Sequence, residues 1–272
     1  AAGAEPGLKV VHRSENEKTK RLRDQIVIDD IRALAGFFQL SSTDGGRRVV
    51  IIDAADEMNV NAANALLKML EAPPARTTLL LVCHHPSRLL PTIRSRCRTL
   101  RLTTLSAPQM GEAMANAGVD PGANGPALAE LSAGSVGEAM RLSLLDGLKI
   151  YAEVVALMGT MPNLDRARAL ALAEAAGGRG AEARLDLLYT LIDVALTRLA
   201  RTGAGHPPLT EAAPNEAATF QRLCAHQVQA RAWADTAQTA LARARHGRAV
   251  NLDPAALVLD TLFKLSATAP AR

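Results

Sequence analysis

The spacing of apolar positions changes character along this chain, and the change divides it in two. In the first hundred or so residues, Leu8–His12 reads as a short strand, and apolar runs stand out at Val49–Ile52 and Thr77–Val82. Runs of that length, apolar at consecutive positions and rich in Val, Ile and Leu, predict strands of a parallel sheet covered on both faces. The segments between them keep helical spacing. Ile31, Leu34, Ala35 and Phe38 form one stripe, which Asp29 or Asp30 can cap. Ala63, Leu66, Leu67 and Leu70 form another, with Asn59 or Asn61 as its cap and Pro73-Pro74 as its stop. Arg13–Arg23 has no apolar period and reads as an exposed loop, and Gly45-Gly46 marks a turn. Pro86–Leu90 and Pro91–Arg94 read as short helical turns, and Thr99–Leu102 as a closing strand. Strand and helix in alternation predict an α/β fold with a parallel sheet.

After Ser106 the strand signal stops. Ala107–Ala117, Gly125–Ala133 and Gly137–Leu145 predict three short helices between Gly and Pro breaks. A longer helical set runs from Leu148, interrupted at Gly177-Gly178 and by a Gly203–Pro214 loop, with the last helices over Asn215–Gly247 and Pro254–Ala267.

Composition narrows this picture. At 272 residues the chain has room for two domains or three small ones, and 48% hydrophobic against 21% charged residues argues for packed cores over disorder. The three cysteines, Cys83, Cys97 and Cys224, are far apart and form no CxxC pair, which argues against a disulfide framework or a structural zinc. No run of about 18 apolar residues is present, so a membrane partner is not expected. The opening AAGAEPGL has no Met, basic n-region or apolar h-region, and reads as a fragment or processed product. Net charge is +4, but residues 1–105 hold 16 Lys/Arg against 11 Asp/Glu and the rest 15 against 16. A basic front half is compatible with nucleic acid or phosphate, although no aromatics interleave its charges.

Candidate chemistry lies between Val49 and Arg98. An apolar strand ending in Asp53 suits a Walker B element, since a carboxylate at the carboxyl end of a parallel strand faces the crevice where such sheets bind ligands and can hold magnesium. A hydrolytic enzyme would next need an acid to orient water, and that position is Ala54, which can do neither. Asp56 and Glu57 are displaced and can simply begin a turn. No GxxxxGK[ST] cradle occurs, and Gly177-Gly178-Arg179-Gly180 has neither the preceding strand nor the Lys, so it reads as a loop. Arg94, Arg96 and Arg98 flank Ser95 and Cys97 after a proline-initiated turn. Such a turn can offer a guanidinium to a transferring phosphate, or it can pair with local acids at the surface. Lys68 and Glu71 can form a weak surface pair, and His84-His85, lacking a carboxylate at fitting spacing, reads as a solvated loop.

NAANALLKMLEAPP followed by PSRLLPTIRSRCR strongly resembles the bacterial clamp-loader branch of the AAA+ proteins, over about Val27–Leu105 and more loosely beyond. The resemblance implies a partial AAA+ RecA-like parallel-sheet core without the P-loop over residues 1–105. A three-helix lid over 106–163 and an all-α collar for oligomerisation over 164–272 would follow. It implies that Ser95-Arg96-Cys97 is the SRC motif, in which Arg96 acts in trans as an arginine finger. Asp53-Ala54 would then be a degenerate Walker B pair. In Gly134-Ser135-Val136-Gly137-Glu138-Ala139, Gly137 stands where motor subunits carry the sensor-2 Arg. The family's P-loop region and the zinc module of some relatives are not in these residues. The implied role is a non-catalytic stator of a cytoplasmic clamp loader, with gamma/tau and delta subunits, a sliding clamp and primed DNA as partners. ATP and Mg would be held by the neighbouring motor subunit, and no metal by this chain. The alternative is an ATP-hydrolysing gamma/tau-type motor subunit. A DNA-binding module unrelated to replication rests on the basic front half alone.

Overall fold

The computed structural model describes residues 7–16, 19–20, 22–39, 46–178 and 180–270. The opening AAGAEP, Gly45 and Arg179 lie outside these. The chain forms two compact units, Ala1–Arg101 and Leu102–Arg272.

The first unit is α/β. Strands β1 (Leu8–Val11), β2 (Arg48–Ile52) and β3 (Thr77–Leu81) form a parallel sheet in the order β1-β2-β3, with Val11 beside Ile52 and Ile52 beside Leu81. Helix α1 (Ile28–Gln39) links the first two strands and α2 (Val60–Glu71) the second and third. Parallel crossovers are right-handed, so two successive ones stepping the same way along a sheet place both helices on one face. The burial pattern follows from this. Val50 and Ile52 are fully buried with Ile31, Leu34, Ala62 and Leu66, whereas Val49 and Ile51 on the other face stay half-buried. The expectation of a sheet covered on both faces therefore fails within this unit.

Local signals explain most helix ends. Asn59 caps α2, its side chain accepting from the Ala62 N–H at 2.9 Å. In α1 the acids lie inside the first turn, and Asp30 reaches back to accept from the Val27 N–H at 2.9 Å, as the third helical residue of a capping box does. Ala35, expected in the buried stripe, is exposed, and Phe37 packs against the core instead. Thr99–Leu102 forms no strand. Leu100 is 82% and Leu102 87% exposed, and among the described residues no strand pairs with the second edge of β3. A strand needs a partner's ladder, which composition cannot supply.

Helix α3 (Pro91–Arg94) closes the first unit, and the second is built of helices: α4 (Ala107–Asn116), α5 (Gly125–Leu131), α6 (Val136–Leu144), α7 (Gly147–Thr160), α8 (Arg166–Gly177), α9 (Glu182–Gly203), α10 (Glu216–Leu223), α11 (Gln227–Ala249) and α12 (Pro254–Thr268). Their apolar stripes merge into one core, from Met110 through Tyr151, Leu188 and Ile192 to Trp233 and Leu265. Gly203 is required where α9 closes on the chain between α10 and α11, since the Cys224 sulfur occupies the place of a Cβ. A buried ionic network ties four helices together. Arg198 on α9 donates Nε to Glu216 Oε1 at 2.6 Å and Nη1 to Glu130 Oε1 at 2.6 Å, and Tyr151 donates to Glu216 at 2.6 Å. Burial pushes the Tyr151 hydroxyl pKa far up, and the bond to Glu216 adds to that. Burial alone would lower the Arg198 pKa, but the Glu216 bond outweighs it and keeps the guanidinium charged. Among the described residues no helix is long and apolar enough to cross a membrane.

Candidate functional site

Strand β2 carries Asp53 to the carboxyl end of the sheet. Its N–H continues the ladder to Val11 O at 2.9 Å, its side chain is exposed, and its peptide bond to Ala54 is cis. Ala54 is buried, and the Ala55 N–H donates to Val82 O at 2.7 Å, stitching the following 3-10 turn to the end of β3. Asp56 then turns back under that strand. Its carboxylate accepts from the backbone N–H groups of His84 and His85 at 3.1 Å each and pairs with His85 Nδ1 at 3.0 Å, with the side chain only 3% exposed. Burial pushes its pKa up, but these hydrogen bonds prevail and hold it below the ordinary carboxylate value. Burial, then the Asp56 charge, raises the pKa of the neighbouring Cys83 thiol.

His84-His85 lies in an exposed loop, as the sequence suggested, and its backbone is anchored through Asp56. The carboxylate that chain order made look incidental is the buried one. No sequence signal identifies it, because its partners lie 28 and 29 residues away. Among the described residues no group of three His, Cys, Asp or Glu side chains is placed to hold a metal. Asp53, a single exposed carboxylate followed by a methyl, does not fit magnesium unaided.

The basic turn is held differently. Pro91 starts α3, and Ile93, fully buried, anchors it. Ser95 ends it and donates its hydroxyl to Thr92 O at 3.1 Å. Arg96 donates Nη1 to the same carbonyl at 2.9 Å and to Ser95 Oγ at 3.4 Å, and its Nη2 meets Glu71 Oε1 at 2.6 Å. The Arg96 side chain is 36% exposed and Glu71 52%. Glu71 therefore pairs with Arg96 and not with Lys68. Cys97 is half-buried, and burial pushes its thiol pKa up, so the sulfur stays protonated at neutral pH. Arg94 and Arg98 are exposed.

Asp53 and Arg96 do not form one site. Asp53 precedes the amino end of α2, while Arg96 meets Glu71 at its carboxyl end, and a helix of 12 residues spans roughly 18 Å. In the second unit Gly134, at φ +80°, has Leu105 N 2.8 Å from where a Cβ would sit, and Ser135 then caps α6 by accepting from the Glu138 N–H at 3.3 Å. Gly137, one residue into that helix, has nothing within 4 Å of a Cβ, so packing does not dictate a glycine there.

A parallel sheet whose central strand ends on an acid, followed by a capped helix, a further strand and a basic proline turn, with a helical unit after it, is a partial AAA+ type α/β core joined to helices. Residues 1–106 match the protein family described as "DNA polymerase III, delta subunit". Over 97 residues the chain is 52% identical to the protein named DNA polymerase III subunit delta' of Pseudomonas aeruginosa, covering 36% of this chain and 28% of that one. Against the Escherichia coli protein of the same name it is 35% identical over 180 residues, 65% of this chain and 52% of that one. It is also 31% identical over 181 residues to E. coli DNA polymerase III subunit tau, 63% of this chain and 27% of that one. The likeness to the delta prime subunits of DNA polymerase III is carried mainly by the α/β unit. The chain spans 28% and 52% of the two delta prime relatives' own lengths.

Proposed function

We propose that this chain is a non-hydrolysing stator of a bacterial clamp loader, working in the cytoplasm, in which Arg96 acts in trans. In this reading residues 106–163 are the lid and 164–272 the collar that joins the other subunits. The gamma/tau-type neighbour holds ATP and Mg, and the complex, with delta, places a sliding clamp on primed DNA. The observation that carries the reading is the separation of the two half-sites by the length of α2. The strand-end position that would serve the chain's own nucleotide is the buried methyl of Ala54 beside Asp53. At the other end a guanidinium is oriented and still 36% exposed. A positive charge placed there can stabilise negative charge on a phosphoryl group held by an adjacent subunit, and it needs no water-activating acid in its own chain.

Arg96→Ala in the reconstituted complex is expected to leave assembly intact and to lower ATP turnover and clamp loading, by at least about tenfold at the site it serves. Steady-state hydrolysis together with gel filtration of the complex measures both. Wild-type turnover with Arg96→Ala would end the assignment. The likeness to tau supports the rival motor reading, in which the protein turns over ATP by itself. A full-length protein showing that activity without partners would favour the rival.

A further inference from the structure

Glu71 sits where helix physics disfavours it. It is the last residue of α2, and the carboxyl end of a helix already carries partial negative charge, so an acid there is locally unfavourable and a cation favourable. The structure resolves the conflict with Arg96, whose Nη2 approaches Glu71 Oε1 at 2.6 Å while Nη1 is held by Thr92 O and Ser95 Oγ. Acceptors from two elements therefore grip both terminal nitrogens, one set from the short α3 turn and one from a helix packed into the core through Ala62, Ala63 and Leu66. An ordinary exposed ion pair ties two flexible heads to each other. Here one head rises from a buried helix and the other from a turn anchored by Ile93. A guanidinium has five N–H groups, so these bonds orient it without exhausting its donors.

We infer that Glu71 is a positioning residue for Arg96. It sets the guanidinium plane so that the remaining N–H groups face a phosphate oxygen of a nucleoside triphosphate bound by the adjacent subunit. The inference rests on the trans-acting role of Arg96. Preorganisation of this kind acts on the transition state, where charge develops, and not on ground-state nucleotide binding.

The experiment compares Glu71→Ala, Glu71→Gln and Arg96→Ala in the complex assembled with its motor-type subunits, reading ATP turnover against ATP concentration. Glu71→Ala is expected to lower kcat about tenfold, the rate equivalent of one charge-assisted hydrogen bond, with KM for ATP, assembly and melting temperature unchanged. Glu71→Gln keeps an acceptor oxygen and is expected to restore part of that loss. Wild-type kcat in Glu71→Ala beside a slow Arg96→Ala would overturn the positioning role alone. Wild-type kcat in Arg96→Ala would overturn the finger and the positioning role together.

Discussion

Each unit of this protein holds an arginine that meets a glutamate at 2.6 Å, and the two pairs are physically opposite. In the helical unit Arg198 is 7% exposed and Glu216 fully buried, and Nε, Nη1 and Nη2 are all engaged, the last also by the Thr210 carbonyl at 2.7 Å. In the α/β unit the Arg96 side chain is 36% exposed and Glu71 52%. Water around Arg96 screens the attraction, so the pair adds little to stability and its geometry is available for use elsewhere. The burial of Arg198 and Glu216 makes that network matter for folding, because neither charge can be left without the other. Similar chemistry is thus enclosed among helices in one unit and left half-exposed in the other.

The sharpest way to break this contrast is at Glu216. Glu216→Ala leaves Arg198 charged in a core with Glu130 as its one remaining carboxylate beside the Thr210 carbonyl, and orphans the Tyr151 hydroxyl and the Ala212 N–H. A loss of about 3–5 kcal/mol is expected in denaturant unfolding of the helical unit. A change under about 1 kcal/mol would mean the network contributes no more than a surface pair. Asp56 is the buried carboxylate of the other unit, and Asp56→Asn places an amide donor among the N–H groups of His84 and His85, for an expected loss of about 1–3 kcal/mol at neutral pH.

That second loss should depend on pH with a definite sign. The folded-state pKa of Asp56 is depressed below its ordinary 3.8, so its contribution is present above that value and disappears as pH falls through the folded-state pKa. Wild type and Asp56→Asn should therefore differ at pH 7 and converge under strong acid, and a gap that does not vary with pH would contradict the hydrogen-bonding account. The smallest effect belongs to a local signal. Asn59→Ala removes the cap that accepts from the Ala62 N–H and should cost about 1 kcal/mol, with α2 fraying first at its amino end in hydrogen exchange.

Legibility in the sequence followed the range of the interactions involved. The ends of α2 could be read because Asn59 and Pro73 act within one turn of themselves. The three short helices after Ser106 emerged near their expected places for the same reason, with glycine and proline breaks as their signals. Thr99–Leu102 did not become a strand, because its apolar content says nothing about whether a free edge lies alongside. The one-sided burial of β2 was equally hidden. Apolar residues at every position describe a strand that tolerates burial on both faces, while the hand and direction of the crossovers decided that only one received helices. At the candidate site, Asp53, Ala54, Ser95, Arg96 and Cys97 were visible as a pattern. The partners that give them meaning, Glu71 for Arg96 and Asp56 for the His84-His85 loop, were not.

By itself, then, the sequence determined the class of core, the helix boundaries set by caps and prolines, and the methyl of Ala54 beside Asp53. All of these are properties of residue type and near neighbours. Tertiary structure alone decided which carboxylate was buried, which arginine was locked in a core and which stayed half-exposed, and that Asp53 and Arg96 lie toward opposite ends of helix α2. Charge and hydrogen-bonding capacity are written into each residue, but their energetic worth depends on solvent exposure and on partners tens of residues away, and only folding settles those.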